Sequence, residues 1–229
     1  MEKAKNIFSS SLTKVGLVML LLLGIGFLFL HLEEQDQARE EATAGTESIF
    51  DETDFTVEEY TYVNENSNTV YLLVVTNNSD YTVDLECNTT AYESDNTYIG
   101  ISYNRIKSVE PGNSGCMLFD FAYPYAEVFE YALYYEVSEA PSGSSNLQTS
   151  ETDDGSSVTV SCENVGNTLL KYTRADIIFL NSGSVVGYDF SYLYETDSDA
   201  SISAGDTVSC TFDFDEDYDD YIVYYTCQY

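Results

Sequence analysis

The densest set of side chains that could do chemistry is the run Asp213-Phe214-Asp215-Glu216-Asp217-Tyr218-Asp219-Asp220. Alternate residues of a strand share a face, so Asp213 and Asp215 lie about 7 Å apart, with Asp217, Asp219 and Asp220 in the turn that follows. Calcium takes about six to eight oxygens, which makes these five aspartates a candidate calcium site. The run is not an EF-hand loop: Tyr218 stands where that loop needs glycine, and Tyr224 where it needs glutamate. A solvated acidic loop tip accounts for the same residues, and no other cofactor is expected.

Enzymatic chemistry has few other carriers. The single histidine, His31, sits in an apolar stretch, which removes histidine-based triads and histidine metal sites together. No glycine-rich phosphate loop follows a strand pattern. A carboxylate pair can hydrolyse glycosides, but small β-domains offer little room for a walled cleft. The chain is therefore expected not to be an enzyme. Tyrosine is abundant at 21 residues, and Tyr60, Tyr62, Tyr134 and Tyr224 have outward parity beside carboxylates. Such rings can stack on sugars, so a glycan-binding surface is one reading. The preference of strands for tyrosine is the other.

Charge narrows the partners. The chain carries 40 carboxylates against 8 Lys and Arg, a net charge of −32. Residues 1–32 hold Lys3, Lys5 and Lys14 against Glu2, so the remainder carries −32 − 2 = −34. A body of that charge repels phosphate backbones and excludes nucleic acid as a partner.

Val15–Leu32 (VGLVMLLLLGIGFLFLHL) is apolar and long enough as a helix, at about 27 Å, to cross a bilayer core. Lysines before it and Glu33-Glu34 after it orient the N-terminus, residues 1–14, to the cytoplasm. The expectation is a transmembrane signal anchor at 15–32, single-pass in the cell membrane, with the C-terminal domains extracellular. A cleaved signal peptide competes, with Ala42-Thr43-Ala44 as the first small-x-small site after the apolar run. Residues 33–53 read as an acidic stalk.

The elements that must position these side chains are strands. The stretch 81–100 recurs at 168–187 at an offset of 87 without a gap, which puts Asn77 on Asn164, Tyr92 on Phe179 and Gly100 on Gly187. Further on the offset becomes 93 (Pro111 on Ala204) and then 90 (Tyr131 on Tyr221), with both changes assigned to loops. This predicts two β-sandwich repeats, 54–139 and 147–229, joined by the flexible linker 140–146 (APSGSSN). Val70–Thr76, almost continuously apolar, is predicted to be a central strand.

Asn77-Asn78-Ser79-Asp80 and Asn164-Val165-Gly166-Asn167, the hairpins closing at Ile99-Gly100 and Val186-Gly187, Pro111-Gly112-Asn113-Ser114, and the strands Phe119-Asp120-Phe121 and Phe212-Asp213-Phe214 resemble FxLYD-type domains. These are small immunoglobulin-like sandwiches of Gram-positive surface-anchored proteins. The resemblance covers about residues 65–140 and 153–229; it departs at Ala204, and the name-giving motif is not intact. It implies an all-β chain: two tandem immunoglobulin-like antiparallel β-sandwiches preceded by one transmembrane helix, displayed outside the cell to an unknown protein or glycan, with no shared catalytic residues. In such a sandwich the second and last strands face each other across the core. Cys162 replaces Val75 and Cys227 replaces Val137 there, which implies a Cys162–Cys227 disulfide stabilising the repeat by about 2–4 kcal/mol. Cys162–Cys210 is the rival pairing, and five reduced thiols the third alternative. Cys87 and Cys116 are not expected to bond, Cys116 having outward parity.

Overall fold

Period-two alternation becomes strand. In the computed structural model, which describes residues 50–194 and 200–229, Ser157–Asn164 (SVTVSCEN) is a strand with Val158, Val160 and Cys162 buried between exposed or half-buried hydroxyls. All pairing is antiparallel. The strands are β1 (Phe55–Val63), β2 (Thr69–Asn77), β3 (Val83–Tyr92), β4 (Tyr98–Val109), β5 (Ser114–Phe121), β6 (Val128–Val137), β7 (Leu147–Asp153), β8 (Ser157–Asn164), β9 (Leu170–Asn181), β10 (Ser184–Leu193), β11 (Ser201–Ile202), β12 (Thr207–Asp213) and β13 (Asp220–Gln228).

The first half makes two sheets, β1-β2-β5 and β4-β3-β6; the second makes β7-β8-β12 and a sheet in which β9 carries β10 and β11 on one edge and β13 on the other. Strand order is thus the same in the two halves, with β10 and β11 together in the place of β4. The anchor Val15–Leu32 and most of the acidic stalk lie outside the described residues. Among the described residues no helix is long and apolar enough to cross a membrane.

The same turn signature pins both halves. Asn77 Nδ2 donates to the carbonyls of Tyr81 (2.7 Å) and Val109 (2.9 Å), and Asn164 Nδ2 donates to those of Thr168 (2.8 Å) and Ile202 (2.9 Å). Their Oδ1 atoms accept from the amides of Ser79 and Gly166, each at 3.0 Å. A buried amide satisfied by two groups of its own turn and one from a distant strand is a staple, which is the physical content of the Asn-x-Ser/Gly motif.

The hairpin correspondence is visible in the pairing. Between Ala91 and Tyr92 the β4 partner jumps from Gly100 to Tyr98, and between Phe179 and Leu180 the β10 partner jumps from Gly187 to Val185. Gly187 thus stands where Gly100 does, and Phe179 falls on Ala91, one residue from Tyr92. A Cβ on Gly100 would meet the ring of Phe121, and one on Gly187 the ring of Phe214. Against β13, the three steps from Lys171 to Arg174 face the two steps from Gln228 to Thr226, so a bulge takes up one residue inside β9. The hairpin ends differ: Ser182 (φ 52°) and Gly183 (φ 79°) form a two-residue turn, whereas Glu93–Thr97 closes the first copy.

Nor is the linker free. Gly143 N donates to the Cys227 carbonyl (3.1 Å), Val165 N to that of Asn146 (2.9 Å), and Ser142 bridges to Gln228. A Cβ on Gly143 would lie 2.4 Å from Leu170 Cδ2, so only glycine allows this approach.

Residues 52–229 form one unit because the two sandwich-like halves stack. The outer face of β1-β2-β5 (Val70, Leu72, Val74, Cys116, Leu118, Tyr60, Tyr62) packs on the outer face of β10-β9-β13 (Ile178, Leu180, Val185, Tyr188, Ile222, Tyr224). β2 is consequently covered on both faces, which is why its apolar run is unbroken. Cys116 has the outward parity expected of it, yet it is fully buried in this contact.

Candidate functional site: a cationic cleft between two bulges

Four lysines and arginines occur among the described residues: Arg105, Lys107, Lys171 and Arg174. Three of them line one cleft of about 400 Å³ together with Ile106, Tyr172, Tyr192, Thr226, Cys227 and Gln228. Backbone irregularity builds it. In β4 the register slips between the pairs Leu85–Ile106 and Val83–Val109, so that Lys107 and Ser108 (φ 58°) form a bulge with Lys107 exposed and Ser108 buried. In β9 Tyr172 adopts φ 50° opposite the slip in β13. A left-handed backbone at a bulky residue costs roughly 1–2 kcal/mol, and such strain concentrates at functional sites. Gln228 Nε2 donates to Ser108 Oγ (3.2 Å), joining one bulge to the other.

Each guanidinium is fixed by carboxylates. Arg105 places Nη2 3.1 Å from Asp84 and 3.4 Å from Glu136, and Nε 3.3 Å from Glu86. Arg174 donates to Asp176 Oδ1 through Nη2 (2.6 Å) and Nε (3.1 Å), and through Nη2 to Tyr188 Oη (2.9 Å). Tyr188 Oη donates to the same carboxylate oxygen. The Arg174 guanidinium lies 4.3 Å over the ring of Phe190.

Asp176 is 1% exposed. Burial pushes its carboxyl upward while Arg174 and Tyr188 pull it back. Burial is the largest single influence on Arg174 and works against its charge, but Asp176 and Tyr188 together more than offset it and hold the guanidinium protonated. Neither arginine has a hydrogen-bond partner for Nη1 among the described residues, and neither Nη1 is sealed from solvent. Lys107 is exposed and has no ion pair among the described residues. The arrangement can hold an anion.

The residues singled out in the sequence lie elsewhere. Asp213, Asp215, Asp217, Asp219 and Asp220 are all exposed, and among the described residues no three acidic, histidine or cysteine side chains group to hold a metal. Asp219 is instead engaged by the hairpin, its two carboxylate oxygens each accepting from Ser182 N at 3.0 Å, and Asn181 Nδ2 donates to the Asp217 carbonyl (2.9 Å). The Cys162–Cys227 bridge is not formed: all five cysteines are free thiols. Cys162 and Cys227 do share one buried cluster, and Cys210 packs against it half-exposed. Of the outward tyrosines, Tyr60, Tyr62 and Tyr224 pack in the contact between the halves, and Tyr134 is exposed.

Sequence reasoning missed the cleft because it depends on two bulges that no residue pattern announces. Its one legible trace is the pair of short cationic clusters, Arg105/Lys107 and Lys171/Arg174, in an otherwise acidic body.

No family model matches the chain, and no curated protein matches it. Among solved structures 52 chains match. One is the crystal structure of red sea bream transglutaminase, at 9% identity and a TM-score of 0.27, the alignment covering 85% of this chain and 31% of that one. The chain thus spans about a third of that enzyme, and a likeness so slight carries no argument about function.

Proposed function

We propose that the chain is a non-catalytic, membrane-anchored protein that holds two tandem immunoglobulin-like sandwiches outside the cell to bind a partner or ligand. The single observation that carries the binding role is the cleft. In a body with a large excess of carboxylates, three of the four cations among the described residues line one concavity shaped by two bulges. Shared strand order in the two halves supports the tandem reading. The lysine-flanked apolar stretch supports the anchor and its N-in, C-out orientation. Arginine and lysine are suited to holding an anion and poorly suited to acid–base work near neutral pH, which supports a non-catalytic role.

The display half of this reading is tested by adding protease to intact cells that carry the full chain with a C-terminal epitope. Loss of the epitope before lysis is expected. An epitope that survives until the membrane is broken would place the body inside and end the proposal.

A further inference from the structure

We infer that the cleft between the β4 and β9 bulges takes a single sugar-sized ring bearing one carboxylate. This rests on the reading of the cleft as a ligand site and names the ligand class. Lys107 and the unpartnered Nη1 atoms of Arg105 and Arg174 give it donors that carry charge and have no acceptor among the described residues. Such donors match a carboxylate.

Charge around the cleft limits how much negative charge the ligand can bring. The sequence beyond residue 32 carries −34, and a polyanion would be repelled before it reached three cations. Asp84, Glu86, Glu136 and Asp176 already compensate the two guanidiniums. That leaves Lys107 as the one cation of the lining without an ion pair among the described residues, and sets the match at one carboxylate on an otherwise neutral ring.

The ring follows from the two tyrosines. Tyr172 and Tyr192 line the same cleft and are 56% and 48% exposed, with Tyr172 held in the left-handed region by the bulge. Exposed phenol faces beside fixed cations present an apolar surface to the C–H face of a sugar while its carboxylate is bound. A volume of about 400 Å³ lies near the small end of the range for small-molecule sites, roughly 300–1,000 Å³, and suits one ring better than a polymer segment.

The test is calorimetric titration of the full chain in a zwitterionic detergent with glucuronate, glucose, acetate and an N-acetylated dipeptide with a free C-terminus. Glucuronate is expected to bind, with glucose and acetate each weaker by about tenfold or more. Lys107→Glu should weaken glucuronate by about tenfold or more. Tyr172→Asn removes the ring while keeping a side chain that tolerates the left-handed backbone, and should weaken glucuronate but not acetate. Lys171→Glu makes the same change of net charge outside the lining and should leave affinity within about twofold. Melting temperature checks that each variant folds.

Equal binding of glucose, or equal loss in Lys171→Glu, overturns the carboxylate assignment. Equal binding of acetate overturns the ring. If the dipeptide binds best and Lys107→Glu abolishes it, the sugar assignment fails while the ligand-cleft reading stands. No heat from any of the four probes overturns both.

Discussion

Tyrosine hydroxyls, not cations, answer many of the carboxylates. Tyr60 donates to Glu58, Tyr71 to Glu59 and Tyr218 to Asp153, each at 2.6 Å, and Tyr225 donates to Glu151 at 2.8 Å. A phenol is a neutral donor on a strand-favouring residue, which suits a body poor in lysine and arginine. The bond to Glu58, then burial, pushes Tyr60 up to about 12, and Tyr62 is pushed up to about 12 mainly by burial. Burial is the leading cause in raising Tyr71 and Tyr225 as well.

A phenol whose folded value lies above the unfolded 10.0 keeps its proton longer in the native state. Its contribution is fully present below pH 10 and is lost as pH rises through about 12. We therefore predict cooperative alkaline unfolding within that window, with tyrosinate absorbance and loss of strand circular dichroism rising together. Gradual ionisation without structural loss would contradict it.

The thiols obey the same burial logic. Cys162 is pushed up to about 12 and Cys227 to about 11, both mainly by burial. Iodoacetamide on the folded chain should modify the half-exposed Cys210 first, read by mass spectrometry of the peptides over time. Equal early labelling at Cys162 would show that this core opens.

At the scale of elements, the asparagine staples are the firmest link between motif and fold. Asn164→Ala would leave the carbonyls of Thr168 and Ile202 without their side-chain donor and Gly166 N without its acceptor. Each buried group left unmade costs about 1–3 kcal/mol, so a loss of about 2–4 kcal/mol is expected in urea unfolding. A loss under about 1 kcal/mol would mean water replaces the staple.

This motif was legible because its chemistry is local: a single residue, Val165, separates Asn164 from Gly166. Strand positions were legible for a similar reason, since alternation in SVTVSCEN and continuity in VYLLVV report which faces are covered. The bulge in β9 was not. No residue pattern marks the slip opposite Thr226 and Gln228 or the left-handed backbone at Tyr172. The cleft inherits that opacity, because Tyr172 reaches it through the bulge. Cys162 and Cys227, the pair singled out by strand parity, share one core as free cysteines.

At the scale of the molecule, the two halves stack head to tail, since the covered sheet is β1-β2-β5 in the first and β10-β9-β13 in the second. A heterologous contact can propagate indefinitely unless its free ends are made unlike the covered ones. Here they are. Val70, Leu72 and Val74 correspond at 87 to Ser157, Thr159 and Ser161, and Cys116 and Leu118 correspond at 93 to Ser209 and Thr211. Those hydroxyls pair with each other on the open face, Ser161 with Ser209 at 2.7 Å and Thr159 with Thr211 at 2.9 Å.

Leu72→Thr with Val74→Ser gives the first half the second half's outer face. Neither residue points into the first half's own core, where Leu73, Val75, Met117 and Phe119 stay buried. Each half should therefore keep its interior while the contact between them weakens, by about 2–5 kcal/mol per large apolar side chain removed. We predict that calorimetry of the native chain shows one cooperative transition and that the double variant shows two, with the uncovered Ile178 face binding a hydrophobic dye between them. A variant that still melts in one sharp step would mean that something other than this apolar stack, with the docked segment at Gly143 the foremost candidate, makes the halves unfold together.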